Sequence, residues 1–483
     1  MLKINRNQVY LIAVIIGITL LGLFSYIFYS KNIAYCILAL PVLALVFYYL
    51  WTDYSVLFFV LCFTTPLAVG LKELGLTQDL DLSIPTEPLM IALLGAHLVN
   101  KGVNILPFGF NQHKLIVFIA LQFVWMLLTV LSSTLWIVSI KQWVSRIWFF
   151  NASFVLASWV FQNPSHIFRT IHLYTFGLIL VIVYTLITHA QYHFNDKAAD
   201  WVVSPFYNDH TAYGAVLAMF IPFFLIFSFQ KKSNVYRRWV YACIALLLIC
   251  ALVLSYARAG WLSLAIAAVV FIVLKIRISF SWILRMGLAA LVIFLLFQTE
   301  LYLILSKNST DAKGGLANNI ESVSNISTDA SNRERINRWN CALRMWWEKP
   351  FLGWGPGTYM FKYAPFQRSD QLTIISTNFG DNGNAHSEYL GPLAEQGWPG
   401  LFFMLIVFYL ILQMGFRVYY NSINQEHQFL VLSIFLGVVT YMVHGFFNNF
   451  LDTDKLSFPF WTFVAILMYY DCSSKGIINK LIF

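Results

Sequence analysis

The most informative polar residue near the middle of the chain is an arginine between two long apolar segments. Small residues flank Arg258 (Ala257, Ala259 and Gly260), so a ligand could approach its guanidinium closely. One interpretation is an interfacial arginine whose side chain reaches out to the lipid headgroups. The other is a cation held at headgroup depth to bind a lipid diphosphate, because the planar guanidinium fork suits phosphate oxygens. The small neighbours favour the second interpretation.

Another arginine lies deeper in a predicted membrane span. Arg146 is about two to three helical turns from the outer end of the span 136–160, which is deeper than easy snorkelling allows. A charge at that depth costs several kcal/mol unless it is paired or faces a cavity. We therefore predict that Arg146 binds a ligand or an internal acid. Lys141 in the same span is shallower and is interpreted as an interfacial lysine.

A third set of cations lies on a polar stretch that should be helical. Helical spacing relates Arg335 to Trp339, Arg338 belongs to the same run, and Pro350 predicts where the helix ends. The Gly-x-Gly-x-Gly sequence at 353–357 indicates a tight turn, which alone is weak support for phosphate binding. Several arginines on a helix beside such a turn are better support.

One histidine precedes a later apolar segment. His386 follows Asn384 closely and lies before Gly397 and Gly400 at the start of that segment. A lone histidine is more often structural than catalytic. However, the unperturbed pKa of histidine lies nearest to neutrality among the side chains, which suits a general base.

The composition indicates where these residues reside. Of the 483 residues, 59% are hydrophobic and only 11% are charged, whereas soluble domains are about half apolar and about a quarter charged. The long runs are apolar on all sides, so they predict helices rather than barrel strands, which alternate. The sequence therefore predicts an all-α polytopic membrane protein. Its net charge of +9 is not clustered, so no nucleic acid partner is expected.

The apolar runs predict about 12 to 14 transmembrane helices and one large loop. We divide the chain into an N-terminal transmembrane bundle (1–304), a large loop with the candidate motifs (305–397) and C-terminal transmembrane helices (398–483). The predicted spans are 9–30, 33–51, 54–70, 86–99, 114–132, 136–160, 167–189, 209–229, 239–256, 259–276, 279–304, 398–419, 427–447 and 456–472. The short pair 54–70 and 86–99 could instead be re-entrant.

The distribution of cations predicts the orientation. If Lys3 and Arg6 are cytoplasmic, the alternate loops carry most of the lysines and arginines, as the positive-inside rule requires. The loop 305–397 then faces outward. We therefore expect the candidate residues to lie on the outer side of the membrane. The six cysteines show neither a disulfide framework nor metal-ligand spacing.

The histidine segment resembles a known motif. His386-Ser387, nine residues and Gly397-x-x-Gly400 resemble the histidine motif of the bacterial O-antigen ligases and related protein O-oligosaccharyltransferases. Arg335-x-x-x-Trp339 and the glycine turn after it resemble the preceding element of that superfamily. Ser255-x-x-Arg258-x-Gly260 resembles its Ser-Arg-Gly element, with Ala257 where a serine is usual.

The resemblance implies a GT-C-like fold and a metal-independent, inverting glycosyltransferase without a cofactor. It also implies a multi-pass protein of the bacterial inner membrane whose active site faces the periplasm. Its donor would be a glycan on undecaprenyl diphosphate, and its acceptor lipid A–core, another glycan or a protein. His386 would activate the acceptor hydroxyl, while Arg258, Arg335 and Arg338 would hold the diphosphate. The depth of Arg146 in its predicted span, and its position on the outer side, suggest that it also holds the diphosphate. Side chains that could line the cavity are those of Asn208, His210 and His444.

Within the superfamily, the histidine motif favours a ligase onto lipid A–core or a protein transferase over a polymerase. A secondary transporter or flippase is an alternative of a different class. It should show inverted repeats and cations near the midplane. The sequence shows no repeat, and its candidate residues concentrate at the outer edge.

Overall fold

The computed structural model describes residues 31–75, 82–101, 104–107, 109–230, 234–289, 292, 330–373, 376, 383–422 and 424–475. The predicted first span, 9–30, lies outside the described residues, and so does most of 279–304.

Helices form nearly all the regular structure of the described residues. The exceptions include a pair of two-residue antiparallel strands, β1 (Val69–Gly70) and β2 (Ser83–Ile84). The helices are α1 (Lys31–Thr52), α2 (Tyr54–Thr64), α3 (Thr86–Lys101), α4 (Lys114–Leu131), α5 (Trp136–Phe150), α6 (Leu156–Val160), α7 (Ser165–Ala190), α8 (His210–Ser228), α9 (Val235–Leu254), α10 (Arg258–Lys275), α11 (Phe280–Ala289), α12 (Ala330–Glu348), α13 (Tyr359–Lys362), α14 (Leu390–Asn421), α15 (Gln425–His444) and α16 (Asp454–Ser474).

The lengths and compositions of these helices are those of a membrane protein. Among the described residues, seven helices are long and apolar enough to cross a bilayer, namely α4, α7, α8, α9, α10, α14 and α15. The prediction of an all-α polytopic membrane protein is confirmed.

Two predicted spans contain breaks that the hydropathy pattern did not show. The span 136–160 is interrupted by a π-helical turn, Asn151–Val155, where the Ser153 carbonyl accepts the Thr462 hydroxyl of α16 at 2.9 Å. The helix α2 ends at Thr64 and passes through a 3₁₀ turn that contains Pro66. Proline removes a backbone donor and disfavours the helical conformation of the residue before it.

The centre of the bundle is formed by α8 and α15. Every residue of α8 from Tyr213 to Phe224 is buried, and α15 packs directly against this helix. A side chain at Gly437 of α15 would collide with the backbone carbonyl of Met219 and the ring of Phe463. Small residues of this kind let membrane helices approach closely.

The glycine turn at 353–357 packs against α14. The Gly355 amide donates to the Glu395 carbonyl at 2.7 Å, and the Trp398 amide donates to the Pro350 carbonyl at 2.9 Å. Between these contacts, Gly397 has a φ of 71° and interrupts the helix. A Cβ at Gly397 would collide with the Phe351 carbonyl. The glycine at this position therefore serves the packing of the turn against α14.

Candidate active site

The segments around Asn208, Arg258, Arg335 and His386 meet at one end of the bundle, which we call the site end. The helices α8 and α10 begin there, α12 lies across it, and α15 finishes there. The segment that carries His386 precedes α14 at the same end. The predicted helix around Arg335 is confirmed, since α12 ends at Glu348, two residues before Pro350.

A sharp turn places Arg258 at the first residue of α10. Tyr256 adopts a φ of 53° between α9 and α10, and its hydroxyl donates to the Phe194 carbonyl at 3.0 Å. Ala257 is fully buried, and Gly214 of α8 packs so closely against it that a side chain at Gly214 would collide with its Cβ. The small residues around Arg258 thus allow close packing of α8 on this turn.

Arg258 lines a cavity of about 580 Å³ together with Arg335 of α12. We call it the arginine cavity. It gathers residues that are far apart in sequence, and the polar ones include Asp200, Asn208, Asp209, His210, Arg258 and Arg335.

The electrostatics of the arginine cavity favour an anion. Both α8 and α10 begin at it, and helix N-termini carry partial positive charge. Asp209 caps α8 by accepting the amide of Thr211 at 2.7 Å and its hydroxyl at 2.8 Å. His210 Nδ1 lies 3.1 Å from Asp200 Oδ1. The third acid of the lining, Asp196, accepts the Lys197 amide at 2.8 Å. All three acids are thus engaged by groups of the protein, and two guanidinium groups also border the cavity.

A second cavity, of about 730 Å³, is rich in acids. We call it the carboxylate cavity. Arg146 lies in its wall and interacts electrostatically with Asp452. Burial raises the pKa of Asp452 to about 6, although the charge of Arg146 opposes this shift. The polar lining of the carboxylate cavity includes Lys141, Gln142, Arg146, Glu388, Glu395, Asn449 and Asp452.

His386 lies between the two cavities. Its neighbours Ala385 and Ser387 line the carboxylate cavity, whereas Arg335, whose charge acts on His386, lines the arginine cavity. The boundary continues through the segment after α15, where Phe447 borders the arginine cavity and Asn449 the carboxylate cavity. His386 is therefore next to residues of both linings.

The backbone and ring of His386 are held by specific contacts. Its φ is 45°, which is uncommon for a residue other than glycine and is often found at functional sites. Its carbonyl accepts the indole N–H of Trp339 at 3.3 Å, and its amide donates to Asn384 Oδ1 at 3.0 Å. The Asn448 amide forms a hydrogen bond with the imidazole.

The pKa of His386 is lowered to about 4, first by burial and then by the positive charges of Arg335 and Arg338. Asp209 and the hydrogen bond with Asn448 oppose this shift. The imidazole is therefore neutral at pH 7, with an unprotonated ring nitrogen.

The histidine segment is anchored to the end of α15 by the adjacent acid. The Glu388 amide donates to the Gly445 carbonyl at 2.7 Å. Its Oε1 accepts the Tyr441 hydroxyl at 2.6 Å and the Leu451 amide at 2.7 Å. These bonds connect the loop before α14 with the loop after α15, so both loops position His386.

Three predicted site residues are not part of the lining of either cavity: His386, Arg338 and His444. Arg338 is buried, with its Nε 2.6 Å from Glu334 Oε1 and its guanidinium 4.0 Å from the centre of the Tyr363 ring. Burial alone would raise the pKa of Glu334, but Ser376 and then Arg338 and Thr373 lower it by hydrogen bonding. His444 is also buried, and its Nε2 lies 3.1 Å from the Asn448 amide nitrogen.

Sequence reasoning missed the acids of the carboxylate cavity and Asn448. Glu388, Glu395 and Asp452 belong to no recognisable spacing pattern, because Glu388 precedes α14, Glu395 lies in its first turns and Asp452 follows α15. Their only signal is that polar residues follow the predicted span 427–447 on the same side as His386. Within the described part of the chain, no group of three or more His, Cys, Asp or Glu could hold a metal ion.

The fold and this site define a polytopic membrane protein with a polar active-site candidate at one end of its bundle. Residues 243–405 match the family described as O-antigen ligase. This match places the region in the O-antigen ligase and polymerase superfamily, confirms the resemblance and supports glycan transfer of the ligase or polymerase type. It runs from α9 into α14 and includes Arg258, Arg335 and His386. No curated protein matches the chain.

Proposed function

We propose that the chain transfers a glycan from undecaprenyl diphosphate to a hydroxyl of lipid A–core at the periplasmic face of the bacterial inner membrane. The observation that carries the proposal is the position of His386, a neutral imidazole between a cavity suited to an anion and a cavity suited to a hydroxyl-rich group. The O-antigen ligase match over the same residues supports it.

The arginine cavity would hold the diphosphate of the donor. Arg258 and Arg335 can each make paired hydrogen bonds to phosphate oxygens. The leaving diphosphate gains negative charge as its bond to the anomeric carbon breaks. Fixed cations and helix N-termini stabilise such developing charge without having to reorganise. In this mechanism the arginines perform the charge neutralisation, so we propose that the reaction is metal-independent.

The carboxylate cavity would hold the sugar acceptor. Carboxylate and amide groups such as those of Glu395, Asn449 and Gln142 can hydrogen-bond to sugar hydroxyls. The acceptor oxygen attacks the anomeric carbon while the bond to the diphosphate oxygen breaks on the opposite side, which inverts the configuration. His386 accepts the proton of the attacking hydroxyl, and alignment of the two substrates supplies much of the acceleration.

A polymerase is the second candidate. Lys141 and Arg146 border the carboxylate cavity and could hold the phosphate of a second lipid-linked glycan instead of lipid A–core. The two candidates differ in product, since a polymerase yields a ladder of longer glycans on undecaprenyl diphosphate.

The test is an in vitro transfer assay with purified full-length protein and undecaprenyl-diphosphate glycan. Lipid A–core, a second lipid-linked glycan and a periplasmic protein are offered as separate acceptors. Product with lipid A–core alone, lost in His386→Ala, is the expected result. Absence of product with every acceptor, from folded protein, would contradict the transferase proposal. Activity lost in EDTA and restored by added metal would contradict metal independence.

A further inference from the structure

The opposite end of the bundle contains a cavity of about 400 Å³ that plays no part in the proposed reaction. We call it the basic cavity. Three separate segments form it: the start of α4, the last turns of α14 and the residue after α16. The positive-inside rule assigns all three to the cytoplasmic side. The polar side chains of its lining are those of Gln112, His113, Lys114, Gln413, Arg417 and Lys475.

A buried carboxylate organises the cations of the basic cavity. The side chain of Asp471 in α16 has no exposed surface. Its Oδ1 accepts Arg417 Nε at 2.8 Å, and its Oδ2 accepts Arg417 Nη2 at 2.9 Å. Lys475 Nζ lies 2.6 Å from Oδ2, and His113 Nε2 lies 3.0 Å from the same oxygen. One acid therefore holds three donors from three segments in place.

His113 contributes a donor to this cluster but no charge. Its Nδ1 accepts the amide N–H of Leu115 at 3.2 Å, so the ring proton is on Nε2, which donates to Asp471. Lys114, Arg417 and Lys475 supply three positive charges, and Asp471 supplies one negative charge. These residues carry a net charge of +2 around a space that can hold a small polar group.

The cations lie at the ends of helices, where lipid headgroups are found. Arg417 is one turn before the end of α14 at Asn421, and Lys475 directly follows α16. About a third of the Arg417 side chain and less than half of the Lys475 side chain are exposed, so both can reach a ligand. The N-terminus of α4 adds partial positive charge.

We propose that the basic cavity binds the phosphate group of an anionic phospholipid in the leaflet at this end of the bundle. A phosphate there would compensate the excess positive charge and bridge α4, α14 and α16. Basic pockets between transmembrane helices on the cytoplasmic side characteristically bind phosphate headgroups. A soluble phosphate offers the same oxygens but lacks the acyl chains that a position between membrane helices accommodates. This inference does not depend on the proposed reaction.

The test uses purified full-length protein in a neutral detergent. Its melting temperature is measured with increasing phosphatidylglycerol, with phosphatidylcholine or with inorganic phosphate, and native mass spectrometry counts retained lipid. We expect phosphatidylglycerol to raise the melting temperature, because a ligand of the folded state stabilises it. Equal stabilisation by phosphatidylcholine would overturn the proposal. Stabilisation by inorganic phosphate but not by phosphatidylglycerol would overturn the assignment to a lipid.

Two variants leave the ion pairs of Asp471 intact. Lys114→Gln removes an exposed charge, and we expect roughly fivefold weaker binding of phosphatidylglycerol, in line with one cation near a charged headgroup. Gln413→Glu places a negative charge in the wall of the cavity, and we expect binding to be lost. Lys275→Gln, at the end of α10 on the same predicted side, is the matched control and should bind like wild type. Wild-type binding in both test variants would overturn the proposal.

Discussion

The arginine cavity and the carboxylate cavity flank the same histidine but differ in charge and in the origin of their walls. In the arginine cavity, Arg258 and Arg335 stand beside two helix N-termini, and Asp209 is engaged as a cap. In the carboxylate cavity, Arg146 stands among acids such as Asp452. The first environment stabilises an anion, whereas the second offers many acceptors for hydroxyl groups.

In the proposed reaction, this difference would prepare two substrates for a direct displacement. A donor whose leaving group is a diphosphate needs cations, and an acceptor needs hydrogen-bond partners and a base. Both cavities contain acids and cations, but the helix N-termini and the two arginines lie on one side of His386, and Glu388, Glu395 and Asp452 lie on the other. The segments around His386 and Asn448 separate them. If the two cavities have separate roles, substitutions in one should affect the donor and substitutions in the other the acceptor.

The largest expected effect is that of replacing the histidine that lies between the two cavities. His386→Ala should lower kcat by roughly 10²- to 10⁴-fold, the usual contribution of general base catalysis, without lowering membrane abundance. The steady-state rate of glycan transfer measures it. His427→Ala, which changes an exposed histidine at the start of α15, is the control. A near-normal rate in His386→Ala would show that the histidine is not the base.

The second effect is that of removing one arginine from each cavity. Arg258→Gln should raise the KM for the donor by about tenfold or more, because hydrogen bonds to charged groups contribute about 1.5–3 kcal/mol. Arg146→Gln should raise the KM for the acceptor instead. Conservative Arg→Lys variants at both positions should recover part of each loss. If Arg146→Gln and Arg258→Gln affect the donor KM equally, the two cavities do not have separate roles.

A smaller effect is expected from filling each cavity with an apolar side chain. Gly391 of α14 lines the carboxylate cavity, and a Cβ there would have no neighbour within 4 Å. Ala259 lines the arginine cavity. Gly391→Leu should raise the acceptor KM several-fold and Ala259→Leu the donor KM, with melting temperatures reporting whether the fold is preserved. If Gly391→Leu instead raised the donor KM and Ala259→Leu the acceptor KM, the roles of the two cavities would be exchanged.

The smallest effect is a shift in the pH dependence. Because the pKa of His386 is about 4, its neutral form persists to low pH, and the acid limb of kcat/KM should lie well below the ordinary histidine value of 6.5. Arg335→Gln removes a positive charge that lowers this pKa, so the limb should move to higher pH. Asp452 titrates near pH 6, and measurements in an Asp452→Asn background separate its contribution. If the acid limb of kcat/KM stayed at the same pH in Arg335→Gln, the charge of Arg335 would not lower the pKa of His386.

Residues that lie in or next to long apolar runs were predictable. The runs determined α4, α7 and the other long helices, since only helices satisfy an apolar backbone in lipid. Arg258 was located at the start of an apolar run, and it is the first residue of α10. The helix around Arg335 and its end before Pro350 were also predicted, because helical spacing and proline act locally. The roles of these residues remain predictions.

Contacts between distant segments were not predictable in the same way. Arg335 and Arg338 lie on the same helix, and nothing in the sequence distinguished their roles. In the structure, Arg338 pairs with Glu334, whereas Arg335 lines a cavity. Asp471 gave no signal either, although three segments converge on it.

The sequence by itself determined that the chain crosses a membrane with helices and that motifs of an O-antigen ligase lie at their ends. Only the tertiary structure decided that His386 lies between two cavities, and that Glu395 of α14 and Asp452 of the loop after α15 lie near Arg146. The physical reason is that hydropathy acts along the chain, whereas the neighbours of a helix depend on close packing. Contacts such as Gly214 against Ala257 and Gly437 against Met219 set that packing.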